Sequence, residues 1–332
     1  MLFTWYGSGT HPASTVSLGF LAYNAIAFGF QPLIGYLSDT YRKIPIEVIG
    51  CPLLIAGLLL MPAPAASIIL LGLGNAAFHI AGGIDCLRHS NGKLARSGVF
   101  VSSGALGVAL GSLAGKSGNL PVHIPVSVML LCLILLSVIY IRRKDSEHIR
   151  TAFAITKPKL DFGKVILFAS ASIAIRSYIG ATIPVEWKTT TVLVLFPAIG
   201  AFIGKACGGF ISDRIGVRKT AALSLLASAV LLAFGYKDPY VYLIGIVLFN
   251  MSMSVTLCAI ASVLPLNPGL AFGITTLALL CGNAPTFFIS VTPAPPVFAA
   301  LTIISAACLY YILERPVNKN EEINAQNQQH DV

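Results

Sequence analysis

The sequence predicts an all-α membrane protein assembled from two parallel half repeats. Composition is the first reason. The chain is 56% hydrophobic and 11% charged, with mean hydropathy +0.82, whereas a soluble domain carries roughly 25% charged residues. The second reason is how the charges cluster. Val48–Ile84 holds no Asp, Glu, Lys or Arg, and apolar runs of about 20 residues are what a bilayer-spanning helix requires. The third is a pattern that occurs twice, as Gly35-Tyr36-Leu37-Ser38-Asp39-Thr40-Tyr41-Arg42-Lys43 and as Gly209-Phe210-Ile211-Ser212-Asp213-Arg214-Ile215-Gly216-Val217-Arg218-Lys219. Each copy follows a long apolar segment and is expected in a connecting loop. Asp39 and Asp213 are 174 residues apart, about half of the 332-residue chain.

Eleven spans are expected: Ser14–Tyr36, Ile46–Met61, Ala66–Leu87, Ser97–Gly115, Ile124–Ile141, Phe162–Pro184, Thr189–Ile211, Thr220–Tyr236, Tyr240–Leu264, Leu270–Ser290 and Pro296–Leu313. The connectors between them alternate in charge. Seventeen of the 22 basic residues fall in one set, and that set is expected to be cytoplasmic by the positive-inside rule. The opposite set holds only Lys116, Lys188 and Lys237. A multi-pass protein of the cell membrane with a cytoplasmic C-terminus follows. The net charge of +9 is thus a matter of topology. The bases form no groove for nucleic acid, and no such partner is expected.

The charged segment 145–160 separates the halves, with five spans before it and six after it. The domains expected are an N-terminal bundle over 1–144, a cytoplasmic linker over 145–160, a C-terminal six-helix bundle over 161–315 and a disordered polar tail over 316–332. The 5+6 count suggests that the first half lacks its first span, of which Met1–Tyr6 would be the outer end. No cleavable signal peptide is evident at Met1–Pro12. The halves align at further landmarks. Asp39 to Asn75 and Asp213 to Asn250 are 36 and 37 residues, and Asp39 to Gly98 and Asp213 to Gly273 are 59 and 60. Two parallel repeats related by an axis along the membrane normal are a transporter architecture.

At these residues the chain resembles the major facilitator superfamily. Gly209-x-x-x-Asp213-Arg214-x-Gly216-x-Arg218-Lys219 is similar to that family's signature loop between the second and third helices of a half. The first copy keeps Gly35, Asp39, Arg42 and Lys43, has Thr40 in place of Arg and lacks the central Gly. The resemblance implies a two-bundle fold with the substrate site between the bundles. Gly74-Asn75-Ala76-Ala77-Phe78-His79 also resembles the fosmidomycin-resistance type of exporter.

A carboxylate at a helix end can accept bonds from orphan N–H groups and from a nearby Arg. Asp39, Arg42, Asp213, Arg214 and Arg218 are therefore expected to act as gates, with Asp85 joining them as a partner of Arg42 or Arg88. Polar groups inside a bilayer are costly, so those present are site candidates. Asn75 and His79 share a helix face, Asn250 is the repeat partner of Asn75, and Arg176 stands midway along its span. Asn24 and Gln31 can face the same cavity or bond between helices. Lys205 is expected to snorkel toward the inner surface. Gly104, Gly107, Gly111 and Gly115 are expected to pack helices closely. In the resemblance they stand where a glycine-rich antiporter motif would, without its usual Pro.

His79 and Arg176 would make the cavity cationic. The leading expectation is a monomeric secondary transporter that moves a small polar, anionic organic solute by alternating access, coupled to a proton or another ion or to neither. Proton-coupled drug efflux and a non-transporting receptor or assembly protein derived from a transporter are the alternatives. An enzyme is not expected, because the sequence offers no nucleophile–base pair. The seven cysteines lie in apolar segments without metal spacing, so no metal or other cofactor is expected. No Lys follows Gly72-Leu73-Gly74 as a nucleotide loop would require.

Overall fold

The computed structural model of the protein describes residues 13–41, 44–117, 121–142, 150–289 and 293–314. The expectations placed on Met1–Pro12, Arg42 and the tail over 316–332 lie outside these residues. The first set of helices comprises α1 (Ala13–Gly29), α2 (Gln31–Thr40), α3 (Ile46–Leu59), α4 (Pro64–Arg88), α5 (Leu94–Ser117) and α6 (His123–Arg142). The second comprises α7 (Phe162–Thr182), α8 (Thr191–Ile215), α9 (Val217–Phe234), α10 (Pro239–Asn250), α11 (Met253–Val263), α12 (Pro268–Asn283, continued by a 3-10 turn over Ala284–Phe287) and α13 (Pro295–Ile312). Among the described residues, ten stretches are long and apolar enough to cross a bilayer, with α1–α2 and α10–α11 each counting as one; α3 is a shorter apolar helix.

Local chemistry explains most boundaries. Asp161 and Asp238 cap α7 and α10 by accepting bonds from Gly163 N and from Tyr240 N and Val241 N. Pro64, Pro239, Pro268 and Pro295 stand at helix starts, where a missing N–H costs nothing. Gly216 ends α8 and begins α9 at φ +93°, a left-handed-side conformation in which a Cβ is strained. That explains why this turn of the repeated pattern contains a glycine.

Two expectations are corrected. Two spans are broken. Pro32 supplies no N–H to the turn before it, and the helix breaks at Phe30 between α1 and α2. The second break, at Met251–Ser252, has no proline and coincides with a buried side-chain network described below. The repeated aspartates also lie in helix rather than in loops, in the last turns of α2 and α8. Beyond these corrections, residues 150–160 of the expected linker are folded onto the protein. Thr151 N donates to Pro265 O at 2.9 Å, Lys157 N to Ile312 O at 3.0 Å and Glu314 N to Ile155 O at 2.9 Å, while Phe153 joins the buried core.

The sets meet along two seams, α2 against α12 and α5 against α8. Both are lined by glycine. A Cβ on Gly35 would collide with the Gly269 carbonyl, and one on Gly209 with the Leu94 carbonyl. One on Gly273 would strike Pro32, and one on Gly98 the Lys205 carbonyl. The core continues across these seams, from Ile80, Ile84, Leu87 and Leu94 of the first set to Leu257, Phe272 and Leu309 of the second. No residue of α6 is buried. Its apolar surface is that of a lipid-facing helix.

Candidate functional site

The first feature lies at the end bearing most of the basic residues. Asp39, ending α2, accepts from Gly269 N at 3.2 Å and Leu270 N at 2.9 Å in the first turn of α12. Asp213, ending α8, accepts from Leu94 N at 2.8 Å and Ala95 N at 2.9 Å in the first turn of α5. The two arrangements repeat at the same offset as the sequence pattern. Each carboxylate sits unfavourably on the C-terminal end of its own helix dipole. It is compensated by orphan N–H groups and the positive end of a helix in the other set. Reciprocal caps thus hold the two sets together at this end.

The caps are not equivalent. Asp39 is buried and has Arg88 Nη2 at 3.7 Å from Oδ1. Asp213 is exposed and has no ion pair among the described residues. The bases expected beside it go elsewhere: Arg214 is exposed, and the Arg218 guanidinium stacks on the ring of Tyr310 at 3.6 Å, within the second set. Asp85 sits beside His89, with Oδ1 to Nδ1 at 3.3 Å.

The second feature is a cavity of about 240 Å³ at mid-depth, lined by Arg176, Lys205, Asn250, Ser177, Tyr242 and Met253 among others. Its lining comes entirely from the second set. Arg176 is 3% exposed. It donates from Nη1 to Ser252 Oγ at 2.7 Å, from Nη2 to Thr256 Oγ1 at 3.0 Å and from Nε to Ser172 O at 3.2 Å. All three acceptors are neutral. The Ser252 bond falls on the break between α10 and α11, so this break is where a buried guanidinium finds its partners. Lys205 does not snorkel as expected: it stands in the cavity wall. Eight residues before Asp213, it lies about 12 Å deeper by helical rise. Among the described residues no Asp or Glu lines the cavity.

The remaining candidates divide. Asn250 lines the cavity, and its Nδ2 donates to Ile246 O at 2.9 Å. Asn24 and Gln31 are both buried, and each bonds the carbonyl four residues back, Phe20 O and Ala27 O, both at 2.7 Å. The Asn24 bond stays within α1, whereas the Gln31 bond reaches from α2 back across the break to α1. Asn75 and His79 are half-buried on α4 and do not line the cavity, although His79 is within electrostatic range of Lys205. Gly104 and Gly107 face open space, and so pack no neighbouring helix here. Gly115 is buried at the end of α5. At the end opposite the caps, Lys188 lies between α7 and α8. Desolvation, and then the charge of Lys116, hold its ammonium below the ordinary lysine range.

Solved structures place this arrangement. The chain is similar to the transporter FucP in the outward conformation, with TM-score 0.65 and 12% identity over 92% of this chain and 91% of that one. The fold is that of the major facilitator superfamily. The human organic anion transporter MFSD10 (TETRAN) matches with TM-score 0.61 and 16% identity over 92% of this chain and 87% of that one. A bacterial homologue of the iron transporter ferroportin in an outward-facing state matches with TM-score 0.55 and 15% identity, over 92% and 90%. No protein-family model matches the sequence. Within the major facilitator fold, the reciprocal caps join the two bundles at one end and the cationic cavity lies at mid-depth.

Proposed function

We propose that this protein is a secondary transporter that moves a small anionic organic solute across the membrane by alternating access. The observation that carries this is the cavity itself. Arg176 and Lys205 bring two cations to its wall, and no acid lines it among the described residues. A charged side chain at the centre of a bilayer costs about 2.5–3.5 kcal/mol even by lenient insertion scales. Two such groups without a counter-ion favour a ligand that brings negative charge. Lys116 and Lys188 converge at the opposite end, where they would raise the local concentration of anions. The likeness to an organic anion transporter agrees with this reading.

The same reading organises the rest of the chain. Five spans precede the linker and six follow it, as parallel repeats, and the conformation is closed at the basic, cytoplasmic end. Asp39 and Asp213 are the gate latches, and Arg88 joins the gate through Asp39. If a proton is coupled, the titratable group in this cavity is Lys205, since no carboxylate lines it among the described residues.

Uptake by the purified protein in proteoliposomes tests the proposal. Radiolabelled mono- and dicarboxylates and phosphate should accumulate over protein-free vesicles, while amines and uncharged sugars should not. Transport of cations or neutral sugars in preference to every anion would overturn it.

A further inference from the structure

We propose a division of labour between the two cations: Lys205 binds the anion's charge, and Arg176 is a positioning residue that fixes the wall on which the anion rests. This rests on the anion-transport reading and goes beyond it by naming the residue that sets specificity for charge.

Arg176 has five N–H donors in a rigid fork. One from each of its three nitrogens is committed to Ser252, Thr256 and Ser172. Ser252 lies in the break between α10 and α11 and Thr256 in the first turn of α11, so the guanidinium ties the break and the start of α11 to α7. Its remaining donors are constrained by that geometry. Lys205 differs on every count. No hydrogen bond or ion pair engages its ammonium among the described residues, so all three donors are available.

The backbone around Lys205 is fixed even though its head is free. A Cβ on Gly204 would collide with the Val247 carbonyl, and one on Gly208 with the Met251 carbonyl. These contacts seat α8 directly on the break that Arg176 pins. The backbone is closely packed there while the four-carbon stem is flexible, which suits a group that must follow a solute. Asn250 and Arg176 line the same wall. The half repeat adds a contrast. Gln31 occupies the register of Lys205 in the first set, eight residues before Asp39. It is fully buried, its amide donates to Ala27 O, and its Oε1 has no partner. The first set thus places a neutral amide where the second places a cation, so the anion's charge has one docking point rather than two.

The test uses the full chain in proteoliposomes, with whichever of succinate, benzoate or phosphate it transports best. Lys205→Met should weaken affinity for that anion by about ten- to a hundredfold, the scale of one lost charge-assisted bond. Lys205→Arg should recover most of it. Arg176→Lys keeps the charge but loses the fork. It should lower the maximal rate while leaving affinity within about threefold. The bound anion should also protect Lys205 from labelling by trinitrobenzenesulfonate, read by peptide mass spectrometry. Wild-type affinity in Lys205→Met, or labelling of Lys205 unchanged by a transported anion, would overturn this assignment while leaving anion transport standing. Failure of all three anions to be transported by the wild type would overturn the parent reading and this one together.

Discussion

Asp39 and Asp213 perform the same hydrogen bonding under different exposure, and that difference sets what each loss costs. Removing a buried carboxylate that accepts two N–H bonds leaves both donors without that acceptor and takes away the charge that faces Arg88. Hydrogen bonds to charged groups are worth about 1.5–3 kcal/mol each, whereas exposed charges contribute about 0–1 kcal/mol. Asp39→Ala is therefore expected to destabilise closure of the basic end by about 2–3 kcal/mol and Asp213→Ala by about 1 kcal/mol or less. Labelling of a cysteine placed beneath the caps, from the basic side, reads this directly. Equal increases in labelling for the two variants would contradict it. At this scale the sequence was legible where chemistry repeats: the two aspartates announce themselves through identical spacing. It was not legible for Lys205. Its distance from Asp213 is the same whether its head snorkels to the surface or lines a cavity. What decides is the glycine seat and the α10–α11 break, and neither leaves a mark on the periodicity. The stacking of Arg218 on Tyr310 was hidden for a related reason, since the two are far apart in sequence.

Among the elements, α2 with α12 and α5 with α8 form the contacts that define the closed end. Each seam brings backbone against backbone. Gly35 is the most restrictive position that the repeated pattern specifies, because any side chain there meets the Gly269 carbonyl. Gly35→Val is expected to reach the membrane in normal amount, since the first set's own packing is untouched. Its basic end should stay open, and uptake should fall by at least tenfold. Cross-linking between cysteines placed on α2 and α12 would report the separation; wild-type cross-linking would contradict it. By contrast Gly104→Ala should be silent in this conformation, given the open space around it. Helix positions could be read from the sequence to within a few residues, because apolar length and charged connectors are local signals. The breaks could not. One follows from a proline whose effect depends on its depth in the helix, and the other from a guanidinium contributed by α7.

Across the whole molecule, the repeat that is visible in one pattern reappears as contact geometry, with each set capping a helix of the other. The parallel halves were legible because a symmetric fold must write its landmarks twice. The part that remained hidden was the connection between them. A charged, polar segment carries no periodicity that would distinguish a loose tether from a strap. Yet residues 150–160 bond to Pro265, Ala261, Ile312 and Glu314, and they bury Phe153. They also approach the first set, where the turn at Gly92, at φ +75°, meets the Ala152 carbonyl and where Phe153 joins the core that holds Leu87 and Leu94.

That strap has a consequence for how the protein can be divided. Nearly all of its hydrogen bonds are made to the second set, so it belongs to that piece and not to the span between the pieces. A chain interrupted between Arg142 and Arg150 would lose covalent continuity but none of the caps, glycine seams or strap contacts described. Two separately translated fragments, 1–142 and 150–332, should then find one another in the membrane. An affinity tag on one is expected to recover the other in equal amount, and the pair should regain uptake that neither shows alone. Moving the break to Leu160, which strips the strap from the second fragment, should leave a pair that assembles less well. Equal recovery from both break points would mean that the strap contributes nothing to joining the halves.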